Sequence, residues 1–335
     1  RQGSYMKIIA GTKEGVFLLD KGSTRQTLAA TDVWDLVETN GYLFASTGKG
    51  LFRSNDAGES WQLAGLDNLE VWQTRSASDG VLYACTQPPA LYRSTDSGET
   101  WLEVESFAQV PEAADWCLPT TPVTPGRARA LVIDRNDPSR IWVGIEVGGI
   151  MHTSDAGKTW SLVVPGDNPD VHMMYADPKS SDVIYTSAGF GRFDGVAELV
   201  EGNAGVYRSE DGGKTWHFAW RGVTPLYARP MCIDLRPPFG LTVATAPGAG
   251  SHYSQEGGAK AMLFRSYDGG ESWISLCDDA HSPSSANIHR LTPDPEHPGG
   301  VLIGTDTGEV WAITPEAEWS LLGSGMPSVL SVAVG

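Results

Sequence analysis

Cysteine is scarce in this 335-residue sequence, and its four cysteines stand far apart, at positions 85, 117, 232 and 277. The spacing contains no CxxC pair and no Cys/His cluster, so it carries no signature of a zinc module. Cys85 and Cys232 fall within apolar runs and are predicted to be buried thiols. We expect a cytoplasmic protein, with secretion left open because a precursor segment can have been removed.

Basic residues are also few, because 24 Lys and Arg stand against 41 Asp and Glu, for a formal net charge of -17. Such a charge repels nucleic-acid phosphates and anionic lipid surfaces unless a local patch reverses it, and the sequence shows no basic cluster. It also lacks a run of about 18 apolar residues and any amphipathic helix of convincing length. The sequence therefore predicts neither a nucleic-acid partner nor a membrane partner, and it leaves the oligomeric state open.

Glycine, by contrast, is abundant, and it recurs in a nine-residue sequence motif, the repeated phrase, that occurs five times. The copies are "RSNDAGESW" at 53–61, "RSTDSGETW" at 93–101, "HTSDAGKTW" at 152–160, "RSEDGGKTW" at 208–216 and "RSYDGGESW" at 265–273. Apolar runs flank each copy, which predicts the turn of a β-hairpin, with the glycine at a positive φ and the Asp and hydroxyl side chains bonding backbone N–H groups. The Asp residues are therefore predicted to form turns, and each Trp to fill the wedge between neighbouring sheets.

This phrase resembles the Asp-box, or BNR, repeat of sialidase-like β-propellers, and its copies recur at the interval of one four-stranded blade. The resemblance implies a propeller fold, in a superfamily that includes sialidases, xyloglucan-cleaving glycosidases, sortilin-type receptors and photosystem II assembly factors. Sialidases of this kind have a three-Arg carboxylate clamp that starts in an N-terminal "RIP"-type motif, and a Tyr nucleophile with its Glu. That motif is absent here and no such Tyr and Glu can be assigned, which argues against a typical sialidase.

The strand count predicts an all-β, seven-bladed β-propeller. Six groups of four strands run from "VWDLVET" to "WSLLG". The N-terminal strands "MKIIAGT", "GVFLLD" and "RQTLAAT" and the C-terminal strand "SVLSVAVG" are expected to share the seventh blade and so close the ring. Residues 1–5 ("RQGSY") are interpreted as a cloning remnant before a native start at Met6, and residues 6–335 as a single propeller domain.

Functional residues are expected on the face opposite the repeated turns, where the innermost strand of each blade begins. Aligning these strands places one residue of each blade at the mouth of the central channel: Trp34, Trp72, Arg129, His172, Arg229, His289 and Ser328. The two histidines suit acid–base catalysis or metal binding. The two arginines suit bidentate binding of a carboxylate, sulfate or phosphate, and the two tryptophans offer a surface on which a sugar can stack.

Glu146 ends the apolar strand in "WVGIEVGGIMHT", where a buried carboxylate is costly unless it is paired. Arg129 in the same blade is the expected partner, so a structural ion pair and a catalytic carboxylate are both open. Long insertions in blades four and five add Arg192, His252 and Tyr253 as predicted substrate-binding residues at the rim. No cofactor is certain, but a divalent metal is an alternative, held by His172, His289, Glu146 and His252.

The polar ring favours an enzyme over a purely structural channel. We predict a hydrolase or lyase that acts on a small anionic molecule, with a sugar derivative as one option, and with His172, His289 and Glu146 as the catalytic residues. The alternative is a non-catalytic scaffold that binds a protein or peptide on the same face, which the resemblance to photosystem assembly factors implies. The lack of a complete catalytic motif favours that alternative.

Overall fold

Seven antiparallel sheets of four strands each form the architecture of the computed structural model, which describes residues 6–191, 202–250 and 253–335. This arrangement confirms the predicted all-β, seven-bladed β-propeller. The innermost strands surround a central channel, and the chain steps outward from them through hairpin turns between neighbouring strands of a blade.

The chain begins with β1 (Ile8–Thr12), β2 (Gly15–Asp20) and β3 (Ser23–Ala29). Blade one contains β4 (Asp35–Thr39), β5 (Tyr42–Thr47), β6 (Gly50–Ser54) and β7 (Gln62–Leu63). Blade two contains β8 (Glu70–Ser76), β9 (Leu82–Gln87), β10 (Ala90–Ser94) and β11 (Leu102–Glu103). A small hairpin of β12 (Cys117–Leu118) and β13 (Thr124–Pro125) precedes blade three, which contains β14 (Arg127–Ile133), β15 (Ile141–Glu146), β16 (Gly149–Thr153) and β17 (Ser161–Val163).

Blade four contains β18 (Val171–Asp177), β19 (Ser180–Ala188), β20 (Gly205–Ser209) and β21 (His217–Phe218). Blade five contains β22 (Tyr227–Ile233), β23 (Leu241–Ala246), β24 (Met262–Ser266) and β25 (Ile274–Ser275). Blade six contains β26 (Ile288–Pro293), β27 (Val301–Thr305), β28 (Val310–Ile313) and β29 (Trp319–Gly323), and β30 (Val329–Val334) is the last strand. Short 3-10 helices span Glu105–Gln109, Pro111–Asp115, Pro165–Asp167 and Asp279–His281. Within the described ranges, none of the helices has the length and apolar character that a bilayer crossing requires.

The two ends of the chain share one blade, as predicted. In this sheet β30 is the innermost strand and pairs antiparallel with β1, which places Ile8 opposite Val334 and Ile9 opposite Ala333. The backbone N–H and C=O groups along this edge of β1 are therefore paired, and the ring is closed by hydrogen bonds instead of by a covalent link.

The repeated phrase forms the same turn in each of its five copies. In the first, the Gly58 N–H donates to the Ser54 hydroxyl at 2.9 Å, and the Ser60 N–H and hydroxyl donate to the two carboxylate oxygens of Asp56 at 2.9 and 2.5 Å. These hydrogen bonds, above all those from Ser60 and Ser54, lower the pKa of Asp56 to about 2. The carboxylates of the phrase are therefore turn formers, because their oxygens are occupied by the turn itself.

The tryptophan that closes the phrase joins neighbouring blades in several copies. The Trp101 indole donates to the Ala64 carbonyl of blade one at 2.7 Å, and the Trp273 indole donates to the Ala219 carbonyl of blade four at 2.8 Å. The hydrophobic core lies in the same spaces between sheets, where Cys85 and Cys232 are buried as free thiols, as predicted.

Candidate functional site

A cavity of about 540 Å³ occupies the channel mouth on the face opposite the repeated turns. All seven residues predicted to ring the mouth line it: Trp34, Trp72, Arg129, His172, Arg229, His289 and Ser328. The cavity is also lined by Lys13, Gln73, Arg127, Met173, Pro230, Gly250, Tyr253, Arg290, Asp306 and Leu330. The predicted rim residues Arg192 and His252 lie outside the residues that the structure describes.

β-Bulges set the direction of most of these side chains. The register of the innermost strand shifts by an extra residue at Trp72, Arg129, His172, Arg229 and His289. A bulge leaves one residue unpaired and re-aims its side chain, so the same irregularity turns each of these residues toward the channel. In the closing blade the shift falls at Leu330, between the paired residues Val329 and Ser331, so the equivalent of the other ring residues is Leu330 and not the predicted Ser328.

Glu146 is buried and paired with two arginines. Its Oε2 atom accepts hydrogen bonds from Nη1 of Arg129 at 2.7 Å and from Nη1 of Arg127 at 3.0 Å. Burial alone would raise the pKa of Glu146, but the charges of Arg129 and Arg127 outweigh it and hold that pKa below its usual value. The ion pair with Arg129 is therefore confirmed. Arg127 was missed, although its i, i+2 spacing from Arg129 places both side chains on one face of β14.

His172 is 1% exposed and meets carboxylates, not the second histidine. Its Nδ1 atom donates to the Ala228 carbonyl at 2.6 Å. Its Nε2 atom lies 3.2 Å from Oδ1 of Asp170 and 3.9 Å from Oε1 of Glu146. The structure does not support the predicted convergence of His172 with His289 across Arg229, since both ring nitrogens of His172 are already engaged elsewhere. Asp170 was missed, and its position two residues before His172 was the available signal.

The residues that come close enough to share a metal ion differ from the predicted set of ligands. Among the described residues, the His, Cys, Asp and Glu side chains that come close enough to share one ion are Glu146, Asp170 and His172, all buried. His289 does not belong to this group. Its ring lies across from Tyr253, with 6.2 Å between the ring centroids.

His289 is a neutral hydrogen-bond donor at the cavity wall. The Asn287 side-chain amide lies 3.2 Å from Nδ1, and an N–H at Asn287 requires Nδ1 to accept, which leaves the ring proton on Nε2. Burial lowers the pKa of His289 to about 3, and the charges of Arg229 and Lys13 add to the effect. At neutral pH this ring is therefore uncharged and offers an N–H from Nε2.

On acidification, we expect the free energy of unfolding of the parent protein to fall more steeply than that of the His289→Gln variant. The folded-state pKa of about 3 lies below the unfolded value of 6.5, so between these values the unfolded chain binds more protons. The free energy of unfolding then drops as pH falls, by at most about 1.4 kcal/mol per pH unit, and glutamine does not titrate. Denaturant unfolding at several pH values between about 7 and 5 measures both slopes. Equal slopes would show that His289 is not held neutral.

The aromatic wall of the cavity consists of two stacked indoles. The rings of Trp34 and Trp72 lie 4.0 Å apart at an angle of 15°. The guanidinium groups of Arg127 and Arg129 each lie 4.9 Å from the Trp72 ring centroid. Trp72 is buried beneath these groups, whereas Trp34 is partly exposed and donates its indole N–H to Oε1 of Glu70 at 2.9 Å. Of the two predicted stacking residues, Trp34 thus has the accessible face.

Arg229 differs from Arg129 in its surroundings. The Arg229 guanidinium lies 5.7 Å from the Tyr227 ring, and its Nε atom is buried without a hydrogen-bond partner among the described residues. Asp306, which lines the same cavity from blade six, accepts the backbone N–H of Asn287 at 2.8 Å, and burial raises the pKa of its carboxyl group. Arg229 and the carboxyl group of Asp306 therefore line the same cavity.

Comparison with known proteins places xyloglucanases among the relatives of this chain. A xyloglucanase of Paenibacillus sp is 28% identical over 203 residues, which are 50% of this chain and 18% of that protein. A xyloglucanase of Hypocrea jecorina (strain QM6a) is 25% identical over 284 residues, which are 72% of this chain and 30% of that protein. The chain thus spans less than a third of the length of these relatives.

Two solved structures show a similar fold. The GH74 xyloglucanase of Xanthomonas campestris superposes with a TM-score of 0.70 at 19% identity, covering 96% of this chain and 53% of that one. YCF48 bound to D1 peptide superposes with a TM-score of 0.56 at 14% identity, covering 96% of this chain and 85% of that one. At these identities the likeness concerns the fold alone.

A family model described as the DUF6242 beta propeller domain matches residues 11–228, which is more than half of the chain. The match begins in β1 and ends in β22, so it includes the blades that carry Trp34, Trp72, Arg129 and His172. This chain belongs to the DUF6242 β-propeller domain family.

Proposed function

We propose that the chain is a hydrolase that binds a small anionic, sugar-derived molecule at the channel mouth. The observation that carries the proposal is a cavity of about 540 Å³ lined by Arg229, Lys13 and the N–H of a neutral His289, in a chain whose net charge is -17. The xyloglucanase relatives and the resemblance of the repeats to sialidase-like propellers support the hydrolysis of a glycosidic bond. A lyase acting on the same class of molecule is the second reaction type.

The anionic group of the substrate is bound by the cationic side of the cavity. Arg229 can hold a carboxylate or sulfate through two parallel N–H···O bonds, and Lys13 adds a second charge. His289 donates from Nε2 to an oxygen of the same group, and Tyr253 covers it from the side. The sugar ring stacks on the accessible face of Trp34, which lines the same cavity.

Proton transfer is assigned to Asp306 in this proposal, in place of the catalytic residues that the sequence predicted. Glu146 is bonded to two arginines through one oxygen and has a lowered pKa, so it is a poor proton donor. His172 is 1% exposed and engaged on both nitrogens. Asp306 lines the cavity and has a raised pKa, which suits a general acid that protonates the leaving oxygen.

Arg229→Gln is expected to raise KM for acidic glycosides by roughly 10- to 100-fold, because a hydrogen-bonded charge pair contributes about 1.5–3 kcal/mol.

Asp306→Asn is expected to lower kcat by about 10²- to 10⁴-fold with little change in KM. A panel of glycosides with and without carboxylate or sulfate groups, assayed for new reducing ends, measures both. Arg221→Gln, which removes an exposed arginine outside the cavity, is the control for net charge.

The same panel separates the alternatives. A lyase would release a product with a new C=C bond next to the carboxylate, which absorbs in the ultraviolet, without a matching gain in hydrolysis product. A scaffold would turn over none of the glycosides and would bind peptides, with affinity reduced by Arg229→Gln. Equal turnover of neutral and acidic glycosides would contradict the anionic substrate.

A further inference from the structure

We propose that Glu146, Asp170 and His172 bind one divalent metal ion of the Mn²⁺ to Zn²⁺ series at the edge of the cavity at the channel mouth. This inference goes beyond the proposed function, in which no metal takes part. It also changes the set of ligands that the sequence suggested, since Asp170 enters in place of His289, and His252 lies outside the described residues.

The three ligand atoms are already at the spacing that one ion imposes. His172 Nε2 lies 3.2 Å from Asp170 Oδ1 and 3.9 Å from Glu146 Oε1, and all three atoms lie within 4.8 Å of one another. An ion bonded to each at about 2.0–2.2 Å separates its ligands by about 3.0–3.5 Å, so only small shifts complete the site.

The tautomer of His172 is the one that a metal ligand needs. Its Nδ1 atom donates a short hydrogen bond, 2.6 Å, to the Ala228 carbonyl, so in the neutral ring the lone pair is on Nε2. That lone pair points toward the carboxylates of Asp170 and Glu146, with the Tyr227 hydroxyl 3.4 Å from Nε2, and a cation between the two carboxylates would bind all three ligand atoms. A backbone carbonyl that holds the distal N–H is the usual partner of a metal-bound imidazole.

Each carboxylate has an oxygen left for the ion. Glu146 uses Oε2 for both arginines, which leaves Oε1 toward His172. Asp170 is 3% exposed, and among the described residues the recorded polar contact of its carboxylate is with His172. A buried carboxylate is costly unless it is paired, and an ion would compensate its charge.

Gly189 closes the other side of this group. A Cβ atom at Gly189 would lie 2.5 Å from Cε1 of His172 and 2.6 Å from Oδ2 of Asp170, which is too close for any other residue. The backbone is therefore pressed against the two ligands and holds them in place. One imidazole with two carboxylates suits Mn²⁺, Fe²⁺ or Zn²⁺, whereas Ca²⁺ and Mg²⁺ prefer oxygen alone.

The test is metal binding in the absence of substrate, which keeps it separate from the proposed function. Protein stripped with EDTA is dialysed against Mn²⁺ or Zn²⁺, and bound metal per chain is measured by atomic emission and by titration calorimetry. We expect about one ion per chain, and a loss of affinity of at least about tenfold in His172→Ala and in Asp170→Asn.

His289→Ala and Asp306→Asn are the matched controls, because they remove a histidine and a carboxylate that line the same cavity outside the proposed group. Both are expected to bind the ion as the parent protein does. Circular dichroism establishes that each variant is folded, and His172→Gln replaces His172→Ala where the alanine variant is not.

Two results would overturn the proposal. One is the absence of bound Mn²⁺ and Zn²⁺ in the stripped parent protein. The other is undiminished binding in folded His172 and Asp170 variants. Crystals soaked in Mn²⁺ give an independent readout, since the anomalous signal is expected within about 2.3 Å of the three ligand atoms.

Discussion

Removal of residues 328–335 is expected to abolish cooperative folding of the propeller. This segment contains β30, the innermost strand of the closing blade, and it buries Val329, Leu330 and Val332 at 0%, 6% and 2% exposure. Each of these side chains contributes about 1.5–3 kcal/mol by burial, and the deletion also leaves the edge of β1 unpaired. The combined loss is comparable with the whole stability of a typical domain, about 5–15 kcal/mol.

Thermal and denaturant unfolding followed by circular dichroism and tryptophan fluorescence measure this outcome. Ser331→Ala is the control, because it keeps the strand and removes only the hydroxyl that donates to the Val33 carbonyl at 2.8 Å. It is expected to cost about 1–3 kcal/mol and to leave a single cooperative transition. A truncated chain that still unfolds cooperatively near the parent temperature would show that the ring does not depend on β30.

Glu146→Gln is expected to lower the free energy of unfolding by about 3–5 kcal/mol, because it removes the carboxylate from a buried ion pair and leaves two guanidinium groups without it. Arg127 and Arg129 both donate to the same oxygen of Glu146, so neutralising Glu146 leaves the repulsion between the two guanidinium groups uncompensated. Denaturant unfolding in EDTA measures the difference without a contribution from metal. The double variant Glu146→Gln with Arg127→Gln should recover part of the loss, which a double-mutant cycle quantifies.

Glu59→Gln is the matched control for this experiment. Glu59 also contacts two cations, Lys7 and Arg25, both at 2.6 Å, but its side chain is 43% exposed. Water and salt screen exposed pairs, so this variant should leave the free energy of unfolding nearly unchanged. Similar losses in the two variants would mean that burial does not govern the Glu146 pair.

The number of blades could be read from the sequence because the repeated turn is local. Within nine residues, the hydroxyl at 54, the carboxylate at 56 and the glycine at 58 satisfy one another's hydrogen bonds, and the same pattern recurs in four other blades. Leftover strands at both ends then required a shared blade, which β1 and β30 form. No long-range information was needed for either step.

The ring of residues at the channel mouth was also accessible from the sequence, because every innermost strand presents the same position to the channel. The closing blade was the exception. Its bulge lies at Leu330, and no local sequence pattern marks that residue as the one that faces the channel. Alignment by apolar pattern alone placed Ser328 at this position, two residues before Leu330.

The sequence by itself determined the seven-bladed propeller, the closure of its ring and the face on which polar residues gather, because these follow from turns and strand periods within each blade. The tertiary structure alone decided that His172 meets Asp170 and Glu146, that Arg127 joins the predicted pair of Glu146 and Arg129, and that His289 contacts Asn287. Most of these contacts join different strands or blades, and bulges, burial and the spacing between sheets set their distances to within an ångström. Ion pairing and side-chain pKa values depend on those distances, and the distances exist only in the folded, closed ring.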